Sequence, residues 1–100
     1  MSARASRRPR FKLRLYVAAG TQNSMQAVSN LTALCSAHLA GNHEIEIVDV
    51  FKQPMRALED GIMMTPTLVR LAPTPIRKIV GSLGQWDTVL RALGIESPAA

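Results

Sequence analysis

Sulfur chemistry is the first possibility to consider, because the chain contains a single cysteine, Cys35. A dithiol oxidoreductase needs a thiolate of low pKa at the start of a helix, usually in a Cys-x-x-Cys motif. Cys35 instead shares an apolar stripe with Val28 and Leu31, at the spacing of an amphipathic helix. We therefore predict a small buried side chain, with no disulfide within the chain and no cysteine-based metal cluster. A peroxidase or monothiol transferase would need Cys35 to be exposed, which the stripe disfavours.

Acid–base and metal chemistry have little support in the remaining side chains. His38 and His43 are too few to hold a structural zinc, so we predict no metal and no cofactor. Glu59 and Asp60 are neighbours on a helix and do not face each other, which favours a solvated pair over a catalytic dyad. Asp49 ends an apolar strand and is predicted to cap the backbone N–H groups that follow. We predict no catalytic residue and a protein that is not an enzyme.

The positive charge of the chain is concentrated at its start. The net charge is +5, yet six of the twelve lysines and arginines lie within the first 14 residues, where there is no acid. The rest of the chain carries six cations against seven acids and is close to neutral. We predict a disordered basic arm at residues 1–10. The alternative function is nucleic-acid binding through this arm, since such binding needs several phosphates neutralised together.

The sequence also bears on location. No stretch of about 20 mostly apolar residues is present, so no membrane span is predicted. The first ten residues lack the apolar region of a secretory signal. A cytoplasmic location is therefore expected.

Seven segments alternate between strand and helix patterns along the chain. Alternating apolar and polar residues indicate strands at 11–17, 44–50, 64–71 and 76–80. Helical spacing and helix-start residues indicate helices at 23–39, 55–60 and 85–93. Asn23 is the predicted N-cap of the first helix.

This order, βαβαββα, predicts one α/β domain at residues 11–95 with a mixed four-stranded sheet. The first strand, helix and strand form a right-handed parallel unit, and the last two strands form an antiparallel hairpin. It is the order of the thioredoxin fold, in which a cis proline often precedes the third strand. Pro66 occupies that position and is the candidate structural cis-proline. Residues 96–100 are predicted to fray.

Arg70, Arg77 and Lys78 are the basic residues of the predicted hairpin. Because successive strand residues point to opposite faces, Arg77 and Lys78 cannot share a face, and we expect one of them to lie with Arg70. Such a basic patch on the exposed face or edge of the sheet fits an acidic protein partner. The alternative is that these charges only keep an edge strand soluble.

Several separated motifs resemble the KaiB proteins of the bacterial circadian clock. They are LRLYVAAGTQNS at 13–24, IVDVFKQP at 47–54, TPTLVRL at 65–71 and PIRKIVG at 75–81. They follow one another in the order of that family, and the resemblance runs from about Leu13 to Leu93, about four-fifths of the chain. The chain is therefore identified as a member of the family by resemblance.

The resemblance implies a non-enzymatic, thioredoxin-like adaptor that binds the ring-shaped ATPase KaiC in circadian or stress timing. It further implies competition with a sensor histidine kinase that carries a similar domain. Some members of the family adopt a second, tetrameric fold (βαββααβ) with a rebuilt C-terminal half, so dimers or tetramers are implied as well. Carried over by position, the partner-binding residues are Arg70, Arg77 and Lys78, with Asn23 and Ser24 near the interface. We expect the thioredoxin-like state to predominate.

Overall fold

The computed structural model describes residues 10–95, which form a four-stranded sheet with helices on both faces. The strands are β1 (Phe11–Val17), β2 (His43–Asp49), β3 (Thr67–Ala72) and β4 (Arg77–Val80). The helices are α1 (Gln22–His38), α2 (Pro54–Glu59) and α3 (Trp86–Leu93). Of the predicted basic arm only Arg10 is described, and the predicted fraying at 96–100 lies outside the described residues.

The strands lie in the order β2-β1-β3-β4 across the sheet. β1 pairs in parallel with β2, where Leu13 lies beside Ile45, and antiparallel with β3, where Tyr16 lies beside Thr67. β3 and β4 form the predicted antiparallel hairpin. The thioredoxin-like order βαβαββα is therefore confirmed. Residues Arg77–Val80 form a strand, as that order requires.

Most element starts differ from the sequence prediction by one residue, and those of α1 and β3 have an identifiable physical cause. α1 begins one residue early with Thr21 at its N-cap, so Asn23 is a helical residue and the predicted cap is wrong. The chain turns before Asn23 because Thr21 Oγ1 donates a hydrogen bond to the backbone oxygen of Ala18 at 2.8 Å. β3 starts at Thr67, three residues later than predicted, since Pro66 has no N–H to donate to a strand ladder.

Two apolar clusters lie on opposite faces of the sheet. The larger one packs α1 and α3 against the sheet and includes Leu13, Leu31 and Leu90. The smaller one lies under α2, and its buried members are Tyr16, Val48, Ala57 and Val69. Since apolar burial is the main favourable contribution to folding, the face that carries α1 and α3 provides most of the stability. The α2 helix covers only one end of the other face.

The end of α3 is closed by a Schellman motif around Gly94, whose backbone is left-handed with φ at 75°. The N–H of Gly94 bonds to the carbonyl of Arg91, and the N–H of Ile95 bonds to the carbonyl of Leu90. A Cβ at position 94 would lie 3.1 Å from Nη1 of Arg70. The position therefore requires glycine both for its backbone conformation and for this close approach.

We expect Gly94→Ala to lower the free energy of unfolding by roughly 1–2 kcal/mol, because a left-handed backbone strains an L residue. Urea unfolding followed by the fluorescence of Trp86, the only tryptophan of the chain, measures the change. Gly84→Ala is the matched control, since a Cβ there would meet nothing closer than 3.6 Å. We expect that control to change stability by less than about 0.5 kcal/mol. Equal losses in the two variants would contradict the special role of Gly94.

Candidate interaction surface

Cys35 lies on the core side of α1 and is buried. Burial raises the pKa of its thiol to about 11, because loss of water disfavours the charged thiolate. The residue also stands well inside the helix, away from the helix start where a redox thiol would gain from the helix dipole. The predicted buried side chain is confirmed, and Cys35 lacks the reactivity that a thiol enzyme needs.

The turn between β1 and α1 is where thioredoxin-type chemistry would need its thiol. Ser24 is buried there and accepts a hydrogen bond from the backbone N–H of Ala18 at 3.0 Å. The side chain of Asn23 is exposed. Ser24 therefore holds the turn in place and offers no surface to a partner in this structure, whereas Asn23 does.

Exposed apolar side chains gather at this same end of the sheet. Met25 is near the start of α1, Phe51 follows β2, and Met63 and Met64 precede β3; each is more than 60% exposed. β1 and β2 are parallel and end together, and β3 begins beside Tyr16 near the end of β1. The four side chains therefore share one end of the molecule. We refer to Met25, Phe51, Met63 and Met64 as the methionine-rich end.

The loop before β3 is anchored by buried residues. The peptide bond before Pro66 is cis, and both Pro66 and Thr67 are buried. The carbonyl of Pro66 accepts a hydrogen bond from the N–H of Gly81 at 2.9 Å. Thr67 Oγ1 donates to the carbonyl of Met64 at 2.6 Å. The exposed methionine side chains of this loop therefore project from a backbone that is held in place.

Arg70 is buried, so the predicted exposed basic patch is wrong for this residue. Arg70 is only 5% exposed, and its guanidinium donates to the backbone oxygens of Leu93 at 2.7 Å and Pro75 at 2.6 Å. Burial lowers the pKa of Arg70, and the charge of Arg77 directly opposite lowers it further. The carbonyl of Leu93 belongs to the negative end of α3, which suits a cation. Arg70 therefore ties α3 to the β3–β4 hairpin.

Arg77 and Lys78 point to opposite faces of β4, as the strand alternation predicts. Arg77 lies opposite Arg70, on the face of α1 and α3, and is exposed. Lys78 lies on the α2 face, where its Nζ donates to the backbone oxygen of Asp60 just after α2. A cation at the end of a helix stabilises it. Lys78 is also exposed but has a structural contact, and Arg77 is the exposed base on the face of Arg70.

The predicted partner-binding residues lie at different levels of the sheet. Asn23 lies beyond the end of β1, whereas Arg77 lies level with Arg70 and Leu13, near the start of β1. Val17 is four residue steps beyond Leu13 in β1, which corresponds to roughly 13 Å along a strand. The structure thus separates an apolar end from a basic edge.

Sequence patterns do not predict the methionine-rich end, because Met64 fits the alternation of the predicted strand at 64–71. The sequence signal that could have identified this end is the position of the methionines between Gly61 and Pro66. Gly61 follows α2 with a left-handed backbone, and Pro66 cannot join a ladder by donating. The large apolar residues between these two positions belong to a loop; Ile62 packs against the small cluster under α2, whereas Met63 and Met64 stay exposed.

An ion-pair network on the α2 face joins β1, β2 and α2. Arg14 contacts Glu46 at 2.8 Å and Asp60 at 3.0 Å, and Arg56 contacts Glu46 at 2.8 Å. The hydroxyl of Tyr16 donates to Asp60. The hydrogen bonds from Arg56 and then Arg14 lower the pKa of Glu46 to about 2. The pKa of Asp60 is also lowered, chiefly by its hydrogen bond with Tyr16.

This network corrects the prediction of a solvated carboxylate pair. Asp60 is engaged in an ion pair with Arg14, and of the two carboxylates only Glu59 is exposed. The N–H of Phe51 bonds to the carboxylate of Asp49 at 3.0 Å, so the predicted capping role of Asp49 is confirmed. Residues 10–95 bring together no group of three or more histidine, cysteine, aspartate or glutamate side chains suited to a metal ion. Within the same residues, no helix has both the length and the apolar character that a membrane crossing requires.

The arrangement of the sheet is that of the thioredoxins. Mitochondrial thioredoxin 3 from Saccharomyces cerevisiae matches with a TM-score of 0.70 at 18% identity, over 86% of this chain and 78% of that chain. The N-terminal domain of Synechococcus elongatus SasA matches with a TM-score of 0.71 at 20% identity, over 94% and 91% of the two chains. With its one cysteine buried in α1, this chain is a thioredoxin-like protein without a cysteine in the turn before α1.

Sequence comparison then identifies the family. A family model described as the KaiB domain matches residues 14–95. The circadian clock protein KaiB3 of Synechocystis sp. is 40% identical over 86 residues, which cover 86% of this chain and 84% of the relative. The circadian clock oscillator protein KaiB of Synechococcus sp. is 40% identical over 90 residues, which cover 90% and 82%. The chain therefore belongs to the KaiB family.

We expect native Cys35 to react with iodoacetamide at least about 100-fold more slowly than an exposed thiol, since burial suppresses both access and the thiolate. The matched control combines Cys35→Ala with Ser36→Cys, which moves the single thiol to the next residue of α1, an exposed position. Mass spectrometry of a time course gives both rates. Similar rates for the two proteins would contradict the burial of Cys35.

The ion pairs of Glu46 should stabilise the fold in a pH-dependent way. Because folding lowers the pKa of Glu46 from 4.5 to about 2, this stabilisation is complete above about pH 5 and is lost as the pH falls towards 2. Since the side chain is 43% exposed, we expect Glu46→Gln to lower the free energy of unfolding at neutral pH by only about 0.5–1 kcal/mol. The variant should also flatten the dependence of stability on pH across this acidic range.

Urea unfolding at a series of pH values tests this expectation. Glu44→Gln is the control, because Glu44 is exposed on the same face of β2 and forms no ion pair with the described residues. A pH profile for Glu46→Gln that runs parallel to that of the unaltered protein would show that the network contributes nothing.

Proposed function

We propose that this chain is a non-enzymatic, cytosolic adaptor that binds a KaiC-type ATPase ring and adjusts timing in a circadian or stress response. The proposal rests mainly on the KaiB domain at residues 14–95. It is supported by a thioredoxin-like fold in which Cys35, the only cysteine, is buried. The relatives are named as circadian clock proteins, which favours a role in timing. Recognition is then the activity that such a fold supports best.

We further propose that the methionine-rich end is the apolar centre of the partner surface. Exposed apolar residues that cluster on a protein mark interaction sites, unlike single scattered ones. Methionine and aromatic residues are enriched at the centres of protein interfaces, and charged residues at their rims. Phe51 and Met63 have the residue types of an interface centre. Lys52, exposed beside Phe51, has the residue type of an interface rim.

Arg77 would provide a second contact, separate from the methionine-rich end. It is exposed on an edge strand, beside the buried charge of Arg70, so this edge favours an acidic patch on the ring. The thioredoxin-like state is the proposed binding form. A sensor kinase with a domain of this fold would compete for the same ring surface.

We expect Phe51→Ala to weaken binding to a KaiC-type ring from the same genome about tenfold, because a central aromatic anchor is lost. We expect Arg77→Glu to weaken it about tenfold as well, chiefly by slowing association at low salt. Biolayer interferometry with the immobilised ring measures both effects. Ile76→Ala and Arg91→Glu, at exposed positions outside the proposed contacts, are the matched controls.

The possible outcomes distinguish failure of the proposed adaptor function from failure of the proposed partner surface. Absence of binding by the unaltered chain would overturn the adaptor function. Binding that is unaffected by Phe51→Ala would keep the function but overturn the proposed apolar centre.

A further inference from the structure

We propose that Met63 and Met64 form a reversible oxidation site, at which a peroxide converts the two thioethers to sulfoxides and thereby weakens partner binding. The regulatory consequence rests on the proposed function. The chemistry at the sulfur atoms does not depend on it and can be measured on the isolated chain.

The distribution of methionine points to this site. Methionine is among the residue types most often buried in proteins, yet every methionine among the described residues is exposed. These are Met25, Met55, Met63 and Met64. The two core clusters are built from leucine, valine, alanine and other side chains instead. The methionines therefore do not serve as core packing in this structure.

The competing sulfur atom is shielded. A cysteine thiolate is normally the first sulfur to be oxidised, and its susceptibility follows thiolate character and exposure. Cys35 is buried, and burial keeps its thiol protonated. In the folded chain, a peroxide therefore reacts with the exposed thioethers before it reacts with the buried thiol.

Met63 is the most open of these side chains, and the exposed Met64 follows it directly. Met63 is 91% exposed, the highest value among the exposed large apolar residues. The pair stands between two shallow cavities, one of which includes Val50 and the other Val80. Both sides of the pair are therefore accessible to a small oxidant.

Oxidation at this pair should leave the fold intact. The carbonyl of Met64 is held by Thr67 Oγ1, and Pro66 is buried behind it. The side chains of Met63 and Met64 belong to neither core cluster. Oxidised methionine disrupts a protein when it lies in a core or an apolar interface, so the effect here falls on the surface and spares stability.

The reaction balances with one peroxide per sulfur atom. The sulfur lone pair takes one oxygen from hydrogen peroxide, the O–O bond breaks, and water leaves. The sulfur is oxidised by two electrons and the peroxide is reduced by two. A methionine sulfoxide reductase reverses the step, with two electrons from a dithiol that becomes a disulfide.

The consequence follows from the place of the pair in the methionine-rich end. Each sulfoxide puts a polar group where the proposed partner surface is apolar. That group must then be desolvated on binding or left without a partner. We expect oxidation of both residues to weaken partner affinity at least about tenfold.

The first experiment maps the chemistry on the full chain. Hydrogen peroxide is added, and peptide mass spectrometry follows oxidation at each methionine and at Cys35, while circular dichroism follows the fold. We expect Met63 to oxidise fastest, Met64 to oxidise while the dichroism is unchanged, and methionine sulfoxide reductase to restore both. Oxidation of Cys35 before Met63, or oxidation of the pair only with loss of structure, would overturn the site.

The second experiment measures affinity for the KaiC-type ring before oxidation, after oxidation and after repair. In the triple variant Met25→Leu, Met63→Leu, Met64→Leu, which removes every thioether of the methionine-rich end, the affinity should no longer respond to peroxide. The matched variant Met25→Leu, Met55→Leu, which keeps the proposed site, should still respond. If the reduced chain does not bind the ring, the proposed function fails, and the first experiment alone decides whether the site exists. If the reduced chain binds and oxidation changes nothing, the regulatory role is overturned.

Discussion

Strand β1 lies in the interior of the sheet, so its side chains must pack against helices on both faces. The rest of the structure depends on this constraint. Leu13 and Leu15 enter the cluster beneath α1 and α3, while Arg14 and Tyr16 face α2. Because side chains alternate with a period of two, a shift by one residue would place Arg14 in the larger core. The register with β2 and β3 is therefore strongly specified. This register also fixes the positions of the loops at the ends of these strands.

The two faces of the sheet are held by different forces. On the face of α1 and α3, buried leucine side chains from several elements pack together. On the other face, α2 is short, and Ala57 is its one buried residue in the small cluster. Polar contacts from Arg14, Tyr16 and Lys78 to Asp60 complete the attachment. Since single exposed ion pairs contribute little, α2 is held by these contacts acting together with the small apolar cluster.

The element order and the burial of Cys35 could be predicted from the sequence because both follow from periodicity. A side chain on the apolar stripe of a helix is buried wherever that helix packs. The environment of Arg70 has no such signal. Its partners are backbone oxygens 23 and 5 residues away, and any residue type carries a backbone oxygen. Ser24 is similar, since its role depends on the N–H of Ala18 in the preceding turn.

The candidate site could be predicted only in part for the same reason. Alternation correctly separates Arg77 from Lys78, but it cannot show that Lys78 reaches the end of α2. The end of the sheet at which a thioredoxin exposes thiols is a place where loops leave the strands and have no core to cover them. In this chain the same geometry exposes thioethers and an aromatic ring, while Cys35 is withdrawn into the core. A fold does not determine a function by itself. In the function proposed above, the exposed apolar side chains at that end serve contact with a partner, because covering them removes apolar surface from water.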